Sequence, residues 1–216
     1  GDISKEYEDF IDAQLQITLQ SSSKDIPLLS FAIALSYPFH KIFYANGGMG
    51  KLLDDMLKDI DVKKSEEIKY IKKERDFYRL ISTKNEYLSS KVVLNAPVFE
   101  CSEIFLDEDI KNYYKKFEFY DQSAFVIYLK IDSQKEFLNH YQIILKDNIP
   151  NSLSNSFFVS FSHKDDGKLS KNGYSVTISS HTKALFWNNL SKDEYETKKE
   201  FTTKFIIDEL LKNISD

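Results

Sequence analysis

Cysteine is almost missing from this chain: Cys101 is the only one in 216 residues. A single thiol excludes an internal disulfide framework, CxxC redox chemistry and multi-cysteine zinc sites, and it fits a reducing cytoplasm. Proline (4) and glycine (6) are scarce as well, which excludes collagen-like and low-complexity chains. No stretch approaches the roughly 18 uninterrupted apolar residues of a membrane-spanning helix. Positive charge is not in excess: 29 Lys+Arg stand against 34 Asp+Glu, a net charge of −5. Such a surface repels phosphodiester backbones and disfavours general nucleic-acid binding. The first residues, Gly1-Asp2-Ile3-Ser4-Lys5-Glu6, contain no apolar h-region, so no signal peptide is expected.

What the chain does have is enough apolar material for a packed core. Hydrophobic residues make up 42% and charged residues 29%, with a mean hydropathy of −0.41, which argues for a folded domain and against disorder. Phe (17) and Tyr (13) dominate the aromatics, beside one Trp. This composition fits core packing. It is compatible with an aromatic-lined cavity without requiring one.

The spacing of apolar residues gives a coarse map. Tyr7, Phe10, Ile11, Leu15 and Leu19 recur at helical intervals, ended by Ser21-Ser22-Ser23. Residues 26–37 predict a buried helix with Pro27 in its first turn, broken by Pro38. Residues 41–44 read as a short strand and Asn46-Gly47-Gly48-Met49-Gly50 as a tight turn. Residues 51–60 read as a helix with Leu52, Leu53, Met56, Leu57 and Ile60 on one side. Three strands are expected at 67–72, 77–82 and 91–94, the last buried on both faces because Lys91-Val92-Val93-Leu94 lacks polar alternation. Residues 107–118 predict a short helix and loop. Four further strands, at 124–131, 141–145, 157–161 and 174–179, are separated by turn signals such as Asp165-Asp166-Gly167 and Asn172-Gly173, which predicts an antiparallel sheet. Ser191 with Glu194 forms a capping box for a final helix, whose apolar residues Phe201, Phe205, Ile206, Leu210 and Ile214 are expected to cover that sheet. The fold class is therefore α/β to α+β, with a mixed and mainly antiparallel sheet plus helices.

Chemistry-bearing motifs are few. The glycine turn before a helix could receive an anion, but it is neither GxGxxG nor a Walker A loop, and a strained turn explains its glycines. No two of His40, His140, His163 and His181 lie at i, i+3 or i+4, so spacing supports no metal site. No G-x-S-x-G elbow exists, and Cys101 reads as a small buried residue. The lysine-rich stretches near 63–73 and 111–116 are interleaved with acids and read as solvated faces. No catalytic residue is named from spacing.

The order of segments says more. Phe43 to Leu52 (FYANGGMGKL), then Ile68-Lys69-Tyr70-Ile71, then Lys91-Val92-Val93-Leu94-Asn95-Ala96-Pro97 follow one another. After them come His181-Thr182 and the stretch from Asn188-Asn189-Leu190 to Leu211, with Glu194-Tyr195 and Lys198-Lys199-Glu200. This succession resembles the middle of phytoene desaturase-like flavoproteins, within the wider FAD-dependent amine oxidase group. It is similar to that family's aromatic strand and GGMG turn, its V-x-x-I strand, its VVxNAP strand end and its W-x-x-L…EY…K helix. The family's N-terminal strand–GxGxxG–helix and its C-terminal glycine-rich flavin segment have no counterpart, so the chain reads as the centre of a longer protein.

The resemblance implies three regions: 1–40 as a helical part of a substrate domain, 41–100 belonging partly to an FAD-binding domain, and 101–216 as the sheet and last helix of the substrate domain. It implies FAD as cofactor of the parent, held weakly or not at all by this chain. The backbone of Ile68 would lie near the adenine end, Asn95 and Ala96 at a strand end pointing to the cofactor, and Gly47, Gly48 and Gly50 in the turn between domains. It also implies an apolar, isoprenoid-like substrate, with peripheral membrane contact as an open partner and a cytoplasmic location. Alternation along 124–131 puts Phe125, Ile127, Leu129 and Ile131 toward the last helix, and Ala124, Val126, Tyr128 and Lys130 on the other face. Tyr128, with Tyr141, Phe157 and Phe161, is expected to line a substrate cavity. The alternative reading is a non-enzymatic module that encloses an apolar ligand or binds a protein partner.

Overall fold

The computed structural model describes residues 3–214 except 42, 44, 165, 167, 168 and 171. The chain divides into two units, one formed by residues 1–56 and 121–216, the other by residues 57–120. The mixed α/β class is as expected, with one antiparallel sheet in each unit. The expected boundaries at 40/41 and 100/101 differ from the observed divisions at 56/57 and 120/121.

The larger unit begins with α1 (Lys5–Leu19), capped by Ser4, whose Oγ accepts the Tyr7 N–H at 3.3 Å. Ile11 and Leu15 form its buried stripe, packed with Ala34 of α2 (Leu28–Ser36). Only Ala34 of α2 is buried, while Leu28 and Leu29 are 81% and 73% exposed. The helix expected at 26–37 is thus present but not enclosed. Its apolar residues run all round, and α1 supplies a partner for one side only.

The strand expected at 41–44 falls partly outside the described residues, at Ile42 and Tyr44. Lys41 and Phe43 are in no strand. α3 (Gly48–Met56) starts inside the glycine run, not after it, and stops four residues short of Ile60. None of its residues is buried.

The four-stranded sheet contains β4 (Ser123–Ile131), β5 (His140–Ile144), β6 (Ser156–Phe161) and β7 (Tyr174–Thr182) in the order β4-β7-β6-β5, all antiparallel. Three hairpin-linked strands, with β4 returning beside the last of them, make a Greek-key order. The turn signal at Asp165-Asp166-Gly167 lies largely outside the described residues. The other, at Gly173, has a clear cause. Its φ is +107°, and a Cβ there would meet the Ile131 carbonyl oxygen at 2.0 Å. Only glycine fits where β7 starts against the end of β4.

Register fixes the faces. Ile127 opposes Ile178, which opposes Val159, and Val159 opposes Tyr141. Directly opposite residues share a face, so this row and its neighbours form one apolar surface. It packs against α6 (Lys192–Ile214) through Ile206 and Leu210, both almost fully buried. The capping box is formed: Ser191 N–H donates to Glu194 Oε2 at 2.9 Å, and the Glu194 N–H reaches Ser191 Oγ at 3.4 Å.

The buried stripe of α6 is Thr202, Ile206 and Leu210, with Phe205 and Ile214 partly buried. Phe201, expected on this face, is 59% exposed. Thr202 takes the inward position because its hydroxyl accepts the Asn151 Nδ2–H at 2.9 Å and donates to the Pro150 carbonyl at 3.2 Å. A polar residue with loop partners can sit in a core stripe without cost.

The smaller unit is a meander of β1 (Ile68–Lys73), β2 (Tyr78–Ser82) and β3 (Glu86–Ser89). The third strand is therefore Glu86–Ser89, and the strand expected at 91–94 is absent. Val93 is 92% exposed, whereas Val92 and Leu94 pack against the cluster of Ile71, Cys101 and Phe105. The run is apolar because alternate residues reach that cluster, not because both faces are covered. A single bridge from Ile71 to Phe105 ties the meander to the segment before α4 (Glu108–Tyr114), the helix expected there. This is why residues 101–120 belong with the meander. Cys101 is buried, its thiol donates to the Pro97 carbonyl, and burial pushes its pKa up, as suits a core thiol.

Candidate functional site

The side of the four-stranded sheet away from α6 carries Tyr128, Thr177, Ser160 and His140 in one cross-strand row, and Val126, Ser179, Phe158 and Gln142 in the next. Serines and threonines on alternate positions of β6 and β7 make this face polar where the other is apolar. α1 covers the part of it over β5 and β6. Gln16 of α1 anchors this contact by accepting the Ser154 hydroxyl at 2.5 Å, and Ser154 is bonded to Ser156 at 3.0 Å.

β4 is an edge strand, and a cleft of about 450 Å³ opens beside it. Its walls come from β4, from α5 (Ala184–Asn188) and from the first half of α6. Trp187 is central. Its ring stacks on Phe125 with centroids 5.1 Å apart and meets Tyr195 edge-on at 5.7 Å, and its Nε1–H donates to Thr182 Oγ1 at 3.0 Å. Lys199 lies 5.4 Å from the Tyr195 ring centroid and is ion-paired with Glu196, a hydrogen bond that holds its pKa above the ordinary lysine value. The cleft has the size of common ligand sites and the mixture they favour, aromatic walls with a few polar groups.

The expected substrate residues do not share a cavity. Tyr128 lines this cleft and is 78% exposed. Phe157 and Phe161 are buried on the opposite face, in the core under α6, and Tyr141 packs against that core. The reason is register: Tyr141 opposes Val159, an odd-numbered β6 position like 157 and 161, while Tyr128 sits one residue out of phase with Ile127 and Leu129. In sequence Trp187 and Tyr195 stand out only as the W and EY of the W-x-x-L…EY…K resemblance, and nothing there places Trp187 against Phe125.

The expected cofactor residues fall in different units. Gly47, Gly48 and Gly50 belong to the larger, and Ile68, Asn95 and Ala96 to the smaller. Gly47 and Gly48 have φ of +84° and +78°, so the glycine turn is real. Its anion position is taken, however: the Gly47 N–H donates to Asp166 Oδ2 at 2.7 Å. A carboxylate from the same chain stands where a phosphate would bind, so the turn does not fit a pyrophosphate cradle. Ile68 is partly buried and paired in β1 opposite Ser82, and Asn95 and Ala96 lie in exposed irregular backbone.

Among the described residues no cluster of His, Cys, Asp or Glu could hold a metal, and no helix is long and apolar enough to cross a membrane. No protein-family model matches the chain. Nor does any curated protein match it at a significant level.

His181, at the end of β7, is 8% exposed, and burial lowers its imidazole pKa below the ordinary 6.5. The unfolded chain therefore takes up this proton first. The group's contribution to stability is complete above the unfolded imidazole pKa and is lost as pH falls from there through the lower folded value. Replacing His181 with Gln is expected to flatten this part of the stability curve, followed by urea unfolding at several pH values. A wild-type curve that is already flat across that window contradicts the burial of a neutral ring.

Proposed function

We propose that this chain is the substrate-side portion of an FAD-dependent oxidoreductase of the phytoene desaturase-like kind, acting on a carbon–carbon bond of an apolar, isoprenoid-like substrate. The observation that carries this reading is the route of the chain. It leaves one unit after residue 56, builds a separate meander unit, and returns at residue 121 to complete the first. The resemblance implies the same alternation between a substrate domain and strands of a flavin domain. Exposed apolar residues add support. Leu28, Leu29, Met56 and Val93 are each more than half exposed, and such surfaces are commonly covered by other protein.

In this reading FAD, held by the rest of the complete protein, carries the hydrogen removed from or added to the substrate. The residues of this chain bind and orient an apolar molecule and keep water from it. The cleft beside β4, with Tyr128 at its mouth and Trp187 in its wall, is the place for it. Two results are expected. Titration of this chain with FAD, followed by flavin fluorescence, gives no binding at micromolar concentration, since the anion position at Gly47 is occupied by Asp166. In the complete protein, Tyr128→Asp lowers turnover while bound flavin and unfolding midpoint stay unchanged. Unaltered turnover removes the cleft from the reading.

A second reading is favoured by β4 itself. A nine-residue edge strand beside an aromatic cleft suits an extended peptide that adds to the sheet. A complete protein that purifies without flavin, and whose β4 amide resonances shift with a partner peptide, supports that reading against the first.

A further inference from the structure

β4 lies at the edge of its sheet, and its pairing with β7 fixes which of its main-chain groups face outward. At one end of the pair the Ile131 carbonyl oxygen points at Gly173, where β7 starts. In an antiparallel pair the N–H and C=O of one residue point to the same side, and successive residues alternate. Ser175 and His181, opposite Lys130 and Ala124, turn their carbonyls away from β4, to the N–H groups of Ser162 at 2.9 Å and Leu153 at 3.0 Å. The register runs without a shift from Ser123–Thr182 to Ile131–Tyr174. Ser123, Phe125, Ile127, Leu129 and Ile131 therefore bond to β7, while Ala124, Val126, Tyr128 and Lys130 present their N–H and C=O groups to the open edge. Among the described residues no turn or loop backbone bonds to these groups.

Edge strands are usually blunted by proline, by a bulge or by charge. β4 has no proline and no bulge, and its one charged residue, Lys130, is ion-paired with Asp132 at 3.0 Å. We propose that β4 pairs antiparallel with β4 of a second copy of this chain, about a two-fold axis through Ile127, joining two four-stranded sheets into one. That register sets Ala124 opposite Lys130 of the second copy and Val126 opposite its Tyr128. All the outward groups are then used, in about eight main-chain hydrogen bonds. A shift by two residues either way leaves Ala124 or Lys130 outside the pairing. The strand is self-complementary in this register. No like charges face each other, Val126 with Tyr128 is an aromatic–β-branched pair, and Phe125 meets Leu129 on the apolar face. The contact is isologous, so it closes at two copies. Leu129 of the second copy, beside Phe125, walls the cleft in which Trp187 stacks. The pairing rests on the strand addition of the second reading, and it forms whether or not the complete protein carries flavin.

In sedimentation equilibrium the mass is expected to rise with concentration from 25.2 kDa to twice that value and no further. Across the axis Tyr128 lies diagonal to its own copy, within reach of long side chains. Tyr128→Lys and Tyr128→Glu, at a position 78% exposed, each remove the Val126–Tyr128 pairs and set like charges across the axis. Each is expected to weaken the dimer about tenfold or more. An equimolar mixture of the two variants is expected to dimerise more tightly than either alone. If a variant fails to fold, amide exchange on the unmodified chain still decides. The Val126 and Tyr128 amides are expected to gain protection as concentration rises, while those of Ile127 and Leu129 are protected at every concentration. A mass of 25.2 kDa at every concentration overturns the pairing and leaves the edge to a peptide of another sequence. A dimer that both variants leave intact, or growth beyond two copies, overturns it equally.

Discussion

Phe157→Ala is expected to destabilise the chain by about 3–5 kcal/mol in chemical denaturation, the range for removing a fully buried aromatic ring. Phe157 is 1% exposed at the centre of the sheet–α6 core. Tyr128→Ala, by contrast, is expected to change stability by no more than about 0.5 kcal/mol, as an exposed side chain does. The sequence groups the two residues as walls of one cavity, and the pair of measurements separates them. Similar losses for both would mean that the faces of β4 and β6 are wrongly assigned. Unaltered stability for Phe157→Ala would mean that the core is not where the register places it.

Gly173→Ala is expected to cost at least about 2 kcal/mol, because the residue combines a positive φ with a carbonyl in the way. The Ile131 oxygen belongs to a strand paired with β7, so relief of the clash must disturb the Ile131–Tyr174 pair. Gly50→Ala serves as the control. No neighbour lies within 4 Å of its added Cβ, it sits inside α3, and alanine there is expected to stabilise by about 0.5–1 kcal/mol. Equal effects at the two glycines would contradict the β4–β7 corner.

Elements with strict local signals were legible from residues alone. The alternation over 124–131 has one answer for which set faces a core, and Phe125, Ile127, Leu129 and Ile131 do face α6. Ser191 and Glu194 announce the start of α6, because capping chemistry needs only neighbours in sequence. What failed depended on distant partners. Thr202 displaces Phe201 from the buried stripe through hydrogen bonds to the 150–151 loop, which helical spacing does not encode. Residues 91–94 have the composition of a buried strand but no ladder partner, and a short apolar run does not distinguish these cases. The candidate cavity failed for the same reason, since cross-strand register, not aromatic content, decides which side chains meet.

The proposed flavoprotein reading meets its most direct test in the absorption spectrum of the complete gene product, purified without added cofactor. Flavin bands in the visible, with FAD released on denaturation, are the expected result. A complete, folded protein with no flavin bands, before or after incubation with FAD, would contradict the reading and leave the β4 cleft as a binding surface.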